Sequence, residues 1–177
     1  TTTQVVYLNL GANSAGTEIS VRNLRLEKSE IPQSDPDNLL YGTNLGITNF
    51  SLIDKGFGAT LEKDGTGVKV TTASRDDSGW LVLFFDDGNS KRILSGPEGE
   101  TYTLSFEAKA NITNAEINVS HRQGNGQENQ IDFGVAHLEK ANQWQTVTLT
   151  GTLKGISATT QGVYFNLKAN PANTEIS

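Results

Sequence analysis

The chain contains no cysteine and no methionine among its 177 residues, and only four prolines. Without cysteine there can be no disulfide, no thiolate-held zinc or iron–sulfur cluster, and no thiol nucleophile. Without methionine the sequence is expected to be a piece of a longer or processed product. Positive charge is also scarce. Fourteen Lys and Arg stand against twenty Asp and Glu, a net charge of -6, and the basic residues are scattered along the chain; nucleic acid is therefore not an expected partner. Long apolar runs are lacking as well. The longest, WLVLFF from Trp80 to Phe85, falls far short of the roughly 20 residues that cross a bilayer, so no membrane insertion is expected.

Eighteen glycines and many Thr and Asn residues point to strands punctuated by turns. Period-two alternation recurs. In TYTLSFEAKA, Tyr102, Leu104, Phe106 and Ala108 share one face while Thr101, Thr103, Ser105, Glu107 and Lys109 share the other, the pattern of a half-buried strand. GVKVTT, EINVSH, QIDFGV, TVTLTGTL and VYFNL read the same way, with Val135 placed inward beside Ile131 and Phe133. About ten strands, with no helix, predict an all-β fold: a two-sheet antiparallel β-sandwich of jelly-roll type. WLVLFF is apolar on both faces, so it is either buried twice over or presents Trp80, Val82 and Phe84 to a ligand or partner.

The sequence also repeats itself. Residues 1–20, TTTQVVYLNLGANSAGTEIS, and residues 158–177, ATTQGVYFNLKANPANTEIS, agree at 14 of 20 positions with a constant offset of 157. A period of that length is the size of a domain. The first copy runs on into VRNLRLEKSEIP, whereas the second stops at Ser177, which predicts a strand vacancy in the sheet. Residues 1–34 are accordingly expected to be terminal strands of a preceding copy, docking on or completing the sandwich, and residues 35–177 the main module.

Hydrolytic motifs are missing. Neither His121 nor His137 has HExxH spacing or a nearby nucleophile elbow, and GNGQEN, residues 124–129, suits a hairpin better than a phosphate loop. No enzymatic activity is expected. The acidic pairs Asp76–Asp77 and Asp86–Asp87 suit turns or a structural calcium site, although EF-hand spacing is absent; no other cofactor is implied. Sugar binding needs an aromatic face together with amides, carboxylates and guanidinium groups that can meet hydroxyls. Alternation puts Asn118 and Arg122 on one polar strand face, Gln130 and Asp132 on that of a neighbouring strand, and Trp144 on a polar face of its own, unless it begins its strand at a bulge and caps the core. Trp80, entered from SRDDSG, adds Arg75 and Asp77 as a rim to the same groove.

NLL at Asn38–Leu40, GETYTLSFEAKAN at Gly99–Asn111, QWQTVTLTGTL at Gln143–Leu153 and EISVRNLRLEK at Glu18–Lys28 together resemble the jelly-roll carbohydrate-binding modules found in tail and baseplate proteins of phages infecting Gram-positive bacteria. The resemblance implies a non-catalytic module on an extracellular virion, binding bacterial cell-surface polysaccharide during adsorption and contacting other tail or baseplate proteins. It also implies that ISVRNLRLEK closes a module, and that some members carry a structural calcium. Two other readings remain: a structural, protein-docking module of a virion, and an accessory module of a secreted glycoside hydrolase.

Overall fold

The computed structural model describes residues 5–9, 17–28, 50–65, 67–76, 78–86, 97–123, 128–154, 161–171 and 174–177. Twelve strands and no helix are formed there. They are β1 (Val5–Asn9), β2 (Thr17–Lys28), β3 (Phe50–Lys55), β4 (Thr60–Asp64), β5 (Gly67–Thr72), β6 (Trp80–Asp86), β7 (Thr101–Lys109), β8 (Ala115–Gln123), β9 (Glu128–Leu138), β10 (Gln145–Thr152), β11 (Gln161–Asn166) and β12 (Glu175–Ile176). Two antiparallel sheets pack face to face as a β-sandwich. The first places β3 beside β6 and β9 beside β8, with β1 and β11 both between β6 and β8; the second runs β10, β7, β2, β5, β4, with β12 also on β5.

Alternation builds the core. Along β7 the buried residues Tyr102, Leu104, Phe106 and Ala108 interleave with half-exposed ones. In β6 Leu81, Leu83 and Phe85 are buried, with Val82 buried between them, and in β8 Ile117, Val119 and His121 are, with Ser120 buried as well. Phe106 meets Phe165 edge to face across the two sheets, ring centroids 5.3 Å apart, a geometry worth about 1 kcal/mol beyond the area it buries.

Two irregularities bend the pattern. In β2 the register slips between Arg22 and Arg25, and Asn23 sits in the left-handed region at φ 54°, which Asn tolerates better than most residues. This bulge turns Leu24 into the core. In β9, Gly134 has φ 85°. Ile131 and Phe133 point inward before it, and Ala136 and Leu138 after it. Val135, expected inward from strict alternation, is instead 40% exposed, because the bulge shifts the parity by one.

The two repeat copies meet identical partners. Tyr7 and Tyr164 both pair with Phe84 and Ser120, Leu8 and Phe165 both with Leu83 and Val119, and Asn9 and Asn166 both with Asn118. In the other sheet Glu18 and Glu175 both pair with Thr71, and Ile19 and Ile176 both with Val70. β2 then continues between β5 and β7, where Ile19 and Val21 are fully buried.

Candidate functional site

The outer face of the first sheet carries polar and aromatic side chains in rows set by strand register. One row reads Ile53, Val82, Asn166 and Asn118 across β3, β6, β11 and β8. The next contains the cross-strand pairs Lys55–Trp80 and Glu116–His137. Around Asn118 and Asn166 lies a shallow groove of about 200 Å³, lined by Glu116, Asn118, Val135, Asn166, Lys168 and Ala169. It offers two amides, one carboxylate and one ammonium over a small apolar floor. Val135 belongs to that floor only because the Gly134 bulge turns it outward.

The groove is held from below by a buried amide. Asn170, 1% exposed, donates through Nδ2 to the Glu116 carbonyl at 2.6 Å and the Leu167 carbonyl at 3.2 Å, and its Oδ1 accepts the Glu116 N–H. Those bonds tie the start of β8 to the turn after β11 and so fix Glu116 relative to Lys168. Asn166 Oδ1 accepts the Lys168 N–H at 2.9 Å, tightening the same turn. Glu116 also lies 3.7 Å from His137 Nδ1.

Trp80 is 51% exposed at the start of β6, on the face shared with Val82. Lys55 Nζ lies 4.6 Å from its ring centroid. The turn before it depends on Gly79, where a Cβ would come within 2.0 Å of the Lys55 carbonyl oxygen. Asp76 caps that turn by accepting from Ser78 Oγ at 2.7 Å and from Ser78 N at 2.8 Å. The Ser78 hydroxyl and then its N–H hold the Asp76 carboxyl below the usual carboxylate range.

The expected site residues divide. Trp80 and Asn118 lie on the outer face of one sheet, and Asp132 is exposed on β9, accepting the Gly134 N–H at 3.0 Å. Arg75 is exposed in the loop leading to Trp80. The backbones of Arg122 and Gln130 lie in β8 and β9, but their side chains fall outside the described residues, as does Asp77 altogether.

Trp144 lies elsewhere. It precedes β10 in the second sheet, with the Arg22 guanidinium 4.0 Å and Lys109 Nζ 5.1 Å from its ring centroid. Arg22 Nε in turn donates to Glu107 Oε2 at 2.8 Å. Trp144 therefore does stand on a polar face, but cations pack against its ring, and it does not join Trp80. Glu116, Asn166 and Lys168 were absent from the sequence expectation. Alternation places Asn166 opposite Phe165, but only the pairing of β8 with β11 brings it beside Asn118.

Among the described residues no three His, Asp or Glu side chains gather as a metal ion would require. The acidic pair Asp86–Asp87 lies outside the described side chains. His121 is fully buried, neither ring nitrogen has a hydrogen-bond partner, and burial depresses its pKa to about 3; it is a neutral core residue near pH 7. No family model matches this sequence, and neither a curated protein nor a solved structure is matched by it.

Proposed function

We propose that the chain is a non-catalytic carbohydrate-binding module whose site is the groove on the outer face of the first sheet, with Trp80 at its margin. The observation that carries this reading is the amide pair Asn118–Asn166 flanked by Glu116 and Lys168 over Val135 and Ala169. Amides both donate and accept, the carboxylate accepts and the ammonium donates, so every hydroxyl of a sugar can find a partner. The apolar floor suits the C–H face of a pyranose ring. A groove of about 200 Å³ is smaller than the ~300–1,000 Å³ typical of small-molecule pockets. It therefore fits one sugar residue held weakly, with useful affinity arising from several modules bound at once.

The ligand class we propose is the cell-wall polysaccharide of Gram-positive bacteria, met by the module as part of a phage tail or baseplate. Sequence resemblance supports that setting. Binding of the fluorescently labelled chain to purified wall polysaccharides is the test. Saturable binding that falls at least tenfold in folded Asn118→Ala and Lys168→Ala variants supports the reading, and binding unaffected by both variants refutes it.

A further inference from the structure

Three large apolar side chains are exposed among the described residues, Ile53, Trp80 and Val135, and all three lie on the outer face of the first sheet. Ile53 and Trp80 belong to the paired strands β3 and β6. Val135 stands apart on β9, where the other exposed side chains among the described residues, Asp132 and His137, are polar. Its outward position comes from the backbone. A Cβ at Gly134 would meet no atom within 4 Å, so no close packing demands glycine there; the φ of 85° does, and the bulge it permits re-aims the next side chain into the groove.

The polar groups around Val135 are of two kinds. Asn118 carries an amide that both donates and accepts, whereas the Glu116 carboxylate only accepts and the Lys168 ammonium only donates. Asn170 ties the backbone of Glu116 to the turn that carries Lys168, so these two one-way groups are held in fixed relation before any ligand arrives. A sugar hydroxyl, which donates and accepts alike, is matched by either of them without distinction. A secondary amide is not. Its N–H only donates, its C=O only accepts, and in the trans form the two point in opposite directions, so it needs an acceptor on one side and a donor on the other.

We infer, on the reading that this groove is the sugar site, that it selects 2-acetamido sugars. Glu116 accepts the acetamido N–H, Lys168 donates to the acetamido carbonyl, and the methyl rests on Val135 and Ala169. Asn118 is left for a hydroxyl of the same ring. The parent hexose lacks the methyl contact and presents a hydroxyl in place of the amide, so it is expected to bind about tenfold more weakly or worse.

The test is a titration of the ¹⁵N-labelled chain with the methyl glycosides of N-acetylglucosamine, glucose, N-acetylgalactosamine and galactose, a set in which the acetamido group varies while the ring configuration is held within each pair. Each N-acetyl sugar is expected to shift the Asn118 side-chain amide and the Val135 backbone signal at about a tenth or less of the concentration its parent hexose needs. Val135→Thr keeps a β-branched residue on an exposed strand and replaces one methyl by a hydroxyl. It is expected to weaken both N-acetyl sugars about threefold or more and to leave both parent hexoses unchanged. Equal affinity of each N-acetyl sugar and its parent overturns the acetamido assignment while the groove stands as a sugar site, and so does a folded Val135→Thr chain that keeps the full N-acetyl preference. If none of the four glycosides shifts these residues but wall oligosaccharides do, the acetamido assignment alone falls; if neither does, the groove falls with it.

Discussion

Lys55 and Trp80 face each other across β3 and β6, the ammonium 4.6 Å from the centroid of the indole ring. The pair keeps a large aromatic side chain in solvent at the margin of an amide-lined groove without burying it in the core. A cation over an exposed ring contributes about 0.5–1 kcal/mol, so Trp80 has little structural role to lose. Trp80→Ala is expected to change unfolding stability by no more than about 1 kcal/mol while weakening polysaccharide binding at least tenfold. Urea denaturation beside a binding isotherm checks both halves.

Trp144 predicts the opposite outcome. Arg22 and Lys109 both pack on its ring, and Arg22 ties β2 to Glu107 on β7. Trp144→Ala is expected to cost about 1–2 kcal/mol of stability from the two lost cation–ring contacts and to leave polysaccharide binding unchanged. Equal loss of binding in the Trp80 and Trp144 variants would show that the two faces are not functionally distinct.

Asn170 links stability to the site. Removing its amide leaves the Glu116 N–H and the Glu116 and Leu167 carbonyls without this partner in a buried turn. Asn170→Ala is expected to cost about 1–3 kcal/mol and to weaken binding as well, although the side chain does not line the groove. Thermal unfolding and the binding isotherm should move together.

His121 makes the fold acid-sensitive. The folded chain protonates this ring only near pH 3 because burial disfavours the cation, whereas an unfolded chain protonates it near its ordinary value of about 6.5. The unfolded state therefore binds more protons between those limits. Stability from this residue is intact above pH 6.5 and falls by up to about 1.4 kcal/mol per unit as pH drops toward 3. His121→Leu is expected to flatten the urea midpoint against pH in that window; identical pH profiles for the two proteins would place the acid sensitivity elsewhere.

Much of the fold is legible from alternation and turn residues, and the reasons it stops being legible are local. β7 reads as a strand because every inward residue is apolar and every outward one polar. Phe50–Lys55 and Thr60–Asp64 were not anticipated as strands. Ile53, Asp54 and Lys55 are all exposed on the sheet edge, so no clean alternation marks β3. Val135 was assigned to the wrong face because no side-chain pattern announces the Gly134 bulge. Trp80 and Asn118 could be found one strand at a time. Their union with Asn166, Glu116 and Lys168 depends on which strands are neighbours, and sequence spacing carries no trace of that. Trp144 illustrates the same limit: its polar face follows from parity, but the sheet to which that face belongs does not.

The most direct test of the groove as the sugar site is a ¹H–¹⁵N NMR titration of the chain with oligosaccharides cut from Gram-positive wall polysaccharide. The account predicts saturable shifts in the side-chain amide signals of Asn118 and Asn166 and in the backbone signals of Glu116, Val135 and Lys168, with the Trp144 indole signal unmoved. Shifts centred on Trp144 and β7, or no shifts at any residue with the oligosaccharides in large excess, would contradict it.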